Sequence, residues 1–256
     1  MLTGLYDGAR EDARAREDLE PLDALIARAR AARPVRELSG LVPRDSVHII
    51  AEIKRRSPSK GELATIADPV TLARDYEAGG ASVISVLTEE RRFGGSLQDL
   101  EAVSRAVSVP VLRKDFLANE YQIVEARAYG ADLVLLIMAG LEDSVVARLL
   151  DITRSWGMEA LVETHSEDEV IRAVRLGARI IGVNARDLST FELDQELFGR
   201  LQHLIPEGVL KVAESAVANS QDVTRYREQG AHAVLVGEAL VTGVNPAQQV
   251  REFVDA

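Results

Sequence analysis

Charged side chains close several short apolar runs of the sequence, and their types suit acid–base chemistry. Three of the runs end in the segments Glu52-Ile53-Lys54, Arg113-Lys114-Asp115 and Glu163-Thr164-His165. Apolar surroundings raise the pKa of a carboxyl group, so we expect Glu163 to act as a general acid or base near neutral pH. Lys114 carries an ammonium group that can protonate or polarise a substrate carbonyl.

The first of these runs places two charges on one side of its strand. Side chains alternate between the two faces of a strand, so Glu52 lies one layer below Lys54 on the same face. The alternative is a purely structural lattice of ion pairs with Lys114 and Glu163, since buried ions are costly unless paired. We expect buried charge at the strand ends and none at the strand starts, a pattern that favours a catalytic site over a stabilising lattice.

Later runs end in polar and small residues that suit phosphate binding. They contribute Asn184 and Arg186 after the sixth run, Glu214 and Ser215 after the seventh, and Gly237 and Glu238 after the eighth. Loops after the seventh and eighth strands of a closed barrel often bind phosphate through backbone amides. Ser57, just after the first run, could add a hydroxyl group. Together these residues predict a phosphate site.

Eight nearly continuous apolar runs alternate with helix-length segments from residue 48 onward. The predicted strands are 48–54, 82–88, 109–115, 131–137, 159–165, 179–185, 210–216 and 233–239. Continuous apolar runs are typical of parallel strands buried on both faces, and this alternation predicts an α/β fold, a (β/α)8 TIM barrel. An open doubly wound sheet is the competing fold, but the first strand is not followed by the G-x-G-x-x-G motif of its dinucleotide-binding version.

A Gly-Ala pair recurs before alternate strands. It occurs at Gly80-Ala81, Gly130-Ala131, Gly177-Ala178 and Gly230-Ala231, and each interval contains two strand–helix units. Glycine adopts the left-handed conformation that ends a helix at low cost. The even placement of the pair favours a closed barrel.

Residues 1–46 differ in composition from the rest and predict a helical extension of a single barrel domain spanning 1–256. The segment is rich in Arg, Ala, Asp and Glu, and Leu22, Leu25 and Ile26 have helical spacing. We expect one or two amphipathic helices there, with Pro34 and Pro43 marking the exit from the segment.

Composition excludes several classes of site. The 256 residues include no cysteine, which excludes disulfides and a cysteine nucleophile, and four histidines without metal-ligand spacing, so we expect no metal. We predict neither a membrane span nor a secretory signal, and hence a cytoplasmic protein. With 30 basic and 41 acidic residues, the net charge of −11 disfavours nucleic acid. The bases are clustered, at 54–60, 91–92 and 113–114, which suits a small anion.

The sequence resembles the indole-3-glycerol phosphate synthase family. The matching segments are AEIKRRSPSKG (51–61), FGGS (93–96), PVLRKDF (110–116), Tyr121-Gln122, LVETH (161–165), IGVNARDL (181–188), VAES (212–215) and LVGEALV (235–241). They run in the family's order from about residue 49 to the end, and the family also has a helical extension before its barrel.

The resemblance implies that an anilino-deoxyribulose phosphate closes its ring and loses carbon dioxide and water, without a cofactor or metal. It implies that Lys114 is the general acid at the carbonyl and Glu163 its acid–base partner. Lys54 would bind the departing carboxylate and protonate the hydroxyl lost in dehydration. Glu52 would orient the two lysines, and the substrate would be contacted by Asn184, Arg186, Glu214 and Ser215. The slot for the aromatic ring would consist of Phe93, Phe116 and Leu135. Phosphate would be bound by Ser57, Ala216, Gly237 and Glu238.

One residue departs from the family's pattern. The family usually has Glu-Ser-Gly after the seventh strand, and Ala216 replaces that glycine here. If the backbone needs a positive φ at this position, alanine costs about 1 kcal/mol or more.

Three other functions remain open at the level of sequence. A phosphoribosyl isomerase would bind a sugar phosphate but lacks the paired Glu-x-Lys and Arg-Lys-Asp segments. A class I aldolase would need a Schiff-base lysine, and the sixth strand ends in Asn184 where many such enzymes carry it. A binding module would be expected to lose a catalytic charge. We expect a phosphorylated small molecule as the partner, and a monomer because no long apolar surface stripe is apparent.

Overall fold

Eight parallel strands close into a barrel in the computed structural model, which describes residues 2–38, 41–42, 45–57, 60–188 and 190–256. They are β1 (His48–Ile53), β2 (Val83–Leu87), β3 (Val111–Lys114), β4 (Leu133–Ile137), β5 (Glu159–Thr164), β6 (Ile180–Asn184), β7 (Leu210–Glu214) and β8 (Ala233–Val236). Each strand pairs with its neighbours in sequence, and β1 pairs with both β2 and β8. The predicted TIM barrel and all eight of its strands are confirmed.

Helices surround the barrel, and most of them bury one apolar face against it, whereas residues 121–128 are buried on every side. The helices are α1 (Leu2–Leu19), α2 (Leu22–Ala31), α3 (Pro69–Ala78), α4 (Leu97–Ala106), α5 (Glu120–Ala128), α6 (Asp143–Ser155), α7 (Glu167–Arg175), α8 (Leu197–Leu201), α9 (Ser220–Glu228), α10 (Glu238–Val241) and α11 (Pro246–Val254). The strands are buried on both faces, and every residue of β1, β2, β4, β6 and β8 is buried. A short antiparallel ribbon, Arg56–Ser57 with Gly61–Glu62, follows β1 and was not predicted.

The four Gly-Ala pairs form the same turn at the start of β2, β4, β6 and β8. The glycines have φ values of 98°, 86°, 77° and 93°, in chain order. In each case the alanine amide donates to the carbonyl five residues earlier, for example from Ala131 to Ala126 at 2.9 Å, which is the Schellman pattern. A side chain at these glycines would strain the backbone, so the repeat has a structural cause.

The N-terminal helices run along one side of the barrel. In α1, Tyr6 packs edge-on against Phe116, with ring centroids 5.6 Å apart, beside the carboxyl ends of the strands. Leu25 and Ala29 of α2 pack with Val124 of α5. The chain then reaches the opposite rim, so the extension spans the full height of the barrel. Pro43, expected to mark its exit, lies outside the described residues.

An ion cluster fastens the extension to that rim. Asp132 is fully buried just before β4, and Arg33 donates to both of its carboxylate oxygens, at 2.9 and 2.7 Å. Arg36 donates to it through its backbone amide at 2.7 Å and its guanidinium at 3.1 Å. The expectation that strand starts carry no buried charge was therefore wrong, because the extension supplies the partners that make this carboxylate stable.

None of the helices in the described ranges is long and apolar enough to cross a membrane. The described residues also contain no group of three or more His, Cys, Asp or Glu arranged to hold a metal ion.

Candidate active site

Two adjoining cavities open at the carboxyl ends of the strands. All fifteen site residues expected from the sequence line one or both of them. These are Glu52, Lys54, Ser57, Phe93, Lys114, Phe116, Leu135, Glu163, Asn184, Arg186, Glu214, Ser215, Ala216, Gly237 and Glu238. The residues expected from the sequence thus lie together at one rim of the barrel, and their assignment as a site and their individual roles stay predictions.

The ammonium group of Lys114 is the centre of a buried ionic cluster. Its Nζ lies 3.5 Å from Glu52 Oε2, 3.8 Å from Glu163 Oε2 and 4.0 Å from Glu214 Oε2. Lys54 Nζ lies 3.1 Å from the other oxygen of Glu52. Burial would lower the pKa of Lys114, but the carboxylates of Glu52, Glu163 and Glu214 outweigh burial and raise it. Lys114 is therefore protonated, as a general acid must be.

The neighbouring carboxyl groups differ in protonation. Burial would raise the pKa of Glu163, but Lys114 and His165 outweigh burial and lower it. Burial and the charge of Glu163 raise the pKa of Glu214 well above its ordinary value, and none of the described residues donates a hydrogen bond to its carboxyl oxygens. The expected raised pKa thus belongs to Glu214, because Glu163 has the better cationic partners.

Two glycines make room for these carboxyl groups. A Cβ atom on Gly182 would lie 2.0 Å from Glu214 Oε1, and one on Gly237 would lie 2.6 Å from Glu52 Oε1. Any side chain at either position would displace a carboxylate of the cluster.

The charge cluster lies beside an apolar slot. The rings of Phe93 and Phe116 are 6.2 Å apart at a tilt of 45°, and Leu135 lines the same cavity. The sequence analysis missed several apolar residues of this cavity, namely Leu2, Leu5, Leu87, Ile137, Leu188 and Phe191. Leu2 and Leu5 come from α1, and their helical spacing with Tyr6 was the available signal.

The second cavity has a left-handed backbone at its floor. Ser215 and Ala216 have φ values of 68° and 55°, so the backbone does adopt the positive φ that the family's usual glycine allows. Ser215 Oγ donates to Asn184 Oδ1 at 2.7 Å, and the backbone amide of Arg186 donates to the same oxygen at 3.0 Å. These bonds fix Asn184 in the wall of the first cavity.

Two arginines of the basic clusters, Arg113 and Arg91, serve structure rather than the site. Arg113 points away from the cavity and is fully buried, where it donates to Thr88, Asp115 and the carbonyl of Gln122. Arg91 pairs with Glu11 and Asp12 of α1 at the surface. The expectation that these pairs help to bind an anion was wrong for both arginines, since alternation along β3 places only Lys114 in the cavity.

Solved structures with low sequence identity share the fold. A 3-hexulose-6-phosphate synthase from Salmonella typhimurium aligns with a TM-score of 0.64 at 15% identity, over 82% of this chain and 97% of that one. An N-acetylmannosamine-6-phosphate 2-epimerase from Clostridium perfringens aligns with a TM-score of 0.62 at 14% identity, over 87% and 97%. These similarities show the barrel alone.

Sequence relatives identify the family. The family model described as indole-3-glycerol phosphate synthase matches residues 2–253. The indole-3-glycerol phosphate synthase of Leifsonia xyli subsp. xyli is 58% identical over 254 residues, covering 99% of this chain and 97% of that protein. The enzyme of the same name from Saccharopolyspora erythraea is 53% identical over 256 residues, covering 100% and 95%. The chain therefore belongs to the indole-3-glycerol phosphate synthase family, which comprises carboxy-lyases of tryptophan biosynthesis.

Proposed function

We propose that the chain converts 1-(2-carboxyphenylamino)-1-deoxyribulose 5-phosphate to indole-3-glycerol phosphate at the cluster around Lys114. The observation that carries this assignment is a buried ammonium group within 4.0 Å of three carboxyl groups, beside an apolar slot. Ring closure needs a proton donor at the carbonyl and an apolar surface for the anthranilate ring, and the cavity supplies both.

The charged residues have separate roles in this proposal. Lys114 protonates the carbonyl oxygen as the new carbon–carbon bond forms. Glu163, held ionised by Lys114 and His165, is its acid–base partner and accepts a proton during aromatisation. Lys54 binds the carboxylate that leaves as carbon dioxide and protonates the departing hydroxyl, and Glu52 orients both lysines through its two oxygens.

The remaining residues hold the two ends of the substrate. Phe93, Phe116 and Leu135 bind the anthranilate ring. Asn184 binds substrate hydroxyls, with Arg186, Glu214 and Ser215 beside it. The phosphate group binds to the backbone at Ala216 and Gly237, beside Ser57 and Glu238. Glu238 also forms an ion pair with Lys60 at the cavity rim.

The test is to add the anilino-deoxyribulose phosphate to purified protein and follow indole fluorescence. We expect Lys114→Ala and Glu163→Gln each to reduce kcat at least about 100-fold, the scale of general acid–base catalysis. Lys211→Ala is the matched control, because Lys211 lies at the start of β7 and donates to Gln202. A turnover rate equal to that of the wild type in both Lys114→Ala and Glu163→Gln would refute the assignment.

We also propose that the enzyme acts as a cytoplasmic monomer that binds no nucleic acid. Its net charge of −11 opposes contact with phosphodiester backbones, and its substrate is a small phosphorylated metabolite. Light scattering of the purified protein should give the mass of one chain, and a mass of two chains would overturn the monomer.

A further inference from the structure

His165 connects the catalytic cluster with the outside of the barrel. Its Nε2 lies 3.2 Å from Glu163 Oε1, and its Nδ1 lies 3.3 Å from Glu169 Oε2. The backbone amide of His165 also donates to Glu169 Oε2, at 2.8 Å. The imidazole therefore lies between the carboxylate of Glu163 on β5 and that of Glu169 on α7, with a hydrogen bond at Nδ1 and an ionic contact at Nε2.

A groove lies on the other side of this imidazole. His165 lines it together with Asn184, Ala185, Asp187, Thr190, Glu192, Leu193, Asp194 and Leu197. Glu192 and Asp194 are exposed, whereas Glu163 is 2% exposed. His165 therefore separates a buried carboxylate from a solvent-facing groove.

The reaction needs a route by which protons enter. The carbonyl oxygen takes one proton when the ring closes and a second when it leaves as water. One proton is returned when the carbon next to nitrogen loses a hydrogen to complete the indole, and the carboxylate leaves as neutral carbon dioxide. Lys114 and Lys54 supply the two protons, and Glu163 takes back the one from carbon, which can pass through Lys114 and Glu52 to Lys54. Each turnover therefore consumes one proton, and this transfer leaves the neutral amine at Lys114, which must be recharged.

We propose that His165 is the proton store that recharges Lys114 through Glu163 after each turnover. Glu163 suits the bridging position, because Oε1 faces the imidazole and Oε2 faces Lys114 Nζ at 3.8 Å. Once Glu163 has passed on the proton from carbon and is ionised again, the imidazolium gives it the Nε2 proton. Glu163 then passes a proton to the neutral amine of Lys114, and solvent in the groove reprotonates His165. The inference rests on the role proposed above for Lys114.

The surrounding charges support this direction of transfer. Burial would lower the pKa of His165, but the neighbouring carboxylates of Glu163 and Glu169 outweigh burial and raise it to about 10. Acidic side chains also face it across the groove, while Arg172 lies beyond Glu169 and Lys114 beyond Glu163. His165 is thus charged at neutral pH, and the higher pKa of Lys114 makes transfer to its amine favourable.

The test compares the first turnover with later ones in His165→Gln, which cannot carry a proton. Lys114 starts charged, so we expect a burst of one product per enzyme at the wild-type rate, followed by a steady rate about tenfold slower. KM should stay within about twofold, and the solvent deuterium isotope effect on the steady rate should increase. In His165→Ala, added imidazole should restore the steady rate in proportion to imidazolium concentration.

Two results would overturn the proposal. One is a wild-type steady rate in His165→Gln, and the other is a first turnover slowed as much as later ones, which indicates a structural role. His203→Gln is the control, since His203 is exposed and should behave as wild type. Failure of the proposed function is distinguishable, because the wild type would then make no indole product at all.

Discussion

Three glutamates share the buried end of the cavity with Lys54, Lys114 and the imidazolium of His165, but these cations lie unequally close to the three carboxyl groups. Glu52 contacts both lysines, and Glu163 contacts Lys114 and His165. Glu214 has only the most distant contact, 4.0 Å from Lys114 Nζ. It is therefore the group that keeps its proton. Sequence could not make this distinction, because it depends on which oxygen reaches which nitrogen across the barrel.

The raised pKa of Glu214 predicts a pH-dependent difference in stability. The folded state binds this proton more tightly than the unfolded chain, whose glutamates titrate near 4.5. Wild-type stability from this group is complete below that pH and is lost as pH rises toward the folded pKa. We expect the melting temperature of Glu214→Gln, relative to wild type, to increase between pH 5 and 8. A difference that is constant or decreases would show that Glu214 is ionised.

Replacing the strained Ala216 with glycine should raise the stability of the fold. At a φ of 55° alanine is strained by about 1–2 kcal/mol, of which the flexibility of an unfolded glycine offsets part. We expect Ala216→Gly to raise the free energy of unfolding by roughly 0.5–1 kcal/mol, with similar kcat and a modestly lower KM. Ala218→Gly, which lines the same cavity, is the control and should gain no stability. A raised KM in Ala216→Gly would contradict this.

At the scale of elements, α1 lines the cavity in which we propose that the anthranilate ring binds. Leu2 and Leu5 line the first cavity, and Tyr6 covers Gly140, where a Cβ atom would lie 2.0 Å from the tyrosine ring. The strands were predictable because each buries a continuous apolar run, and the helix ends because glycine marks them. The docking of α1 was not, because it joins residues far apart in sequence.

The contact between Tyr6 and Gly140 predicts that a substitution there changes KM more than kcat. We expect Gly140→Ala to displace α1 at Tyr6 and raise KM severalfold, with a smaller change in kcat, because the charged residues lie on the strands. Gly4→Ala is the matched control, since a Cβ at Gly4 meets nothing within 4 Å. It should leave KM unchanged and stabilise α1 by about 0.5–1 kcal/mol. Equal KM values in the two folded variants would exclude a role for α1 in the slot.

At the scale of the molecule, the extension is joined to the barrel at three levels. Tyr6 packs at the mouth, Arg16 donates to the buried Glu125 at 2.6 Å along the side, and Arg33 binds Asp132 at the opposite rim. The composition of residues 1–46 predicted helices but not these contacts, because a charged surface helix and a docked one have similar sequences. We infer that extension and barrel unfold together.

Urea unfolding tests this inference. Trp156, the single tryptophan, packs against the apolar cluster that Leu25 and Ala29 of α2 form with α5. Its fluorescence therefore reports on the extension, while circular dichroism reports on the whole chain. The two transitions should coincide. Arg33→Ala should lower the free energy of unfolding by about 3 kcal/mol, because a buried carboxylate loses a partner. Arg10→Ala, whose pair with Asp7 is exposed, should change it little. Separate transitions would identify an independent extension.

The repeated Gly-Ala turns and the ionic cluster occupy opposite rims, separated by strands of four to six residues, or roughly 13–20 Å. Errors at the two rims therefore have different consequences. A substitution at a turn glycine lowers the population of folded molecules but leaves the chemistry of each survivor intact. A substitution in the ionic cluster leaves the barrel folded but, on the proposed function, removes its activity. Selection can thus alter the reaction at one rim while the other preserves the scaffold, which makes the molecule evolvable.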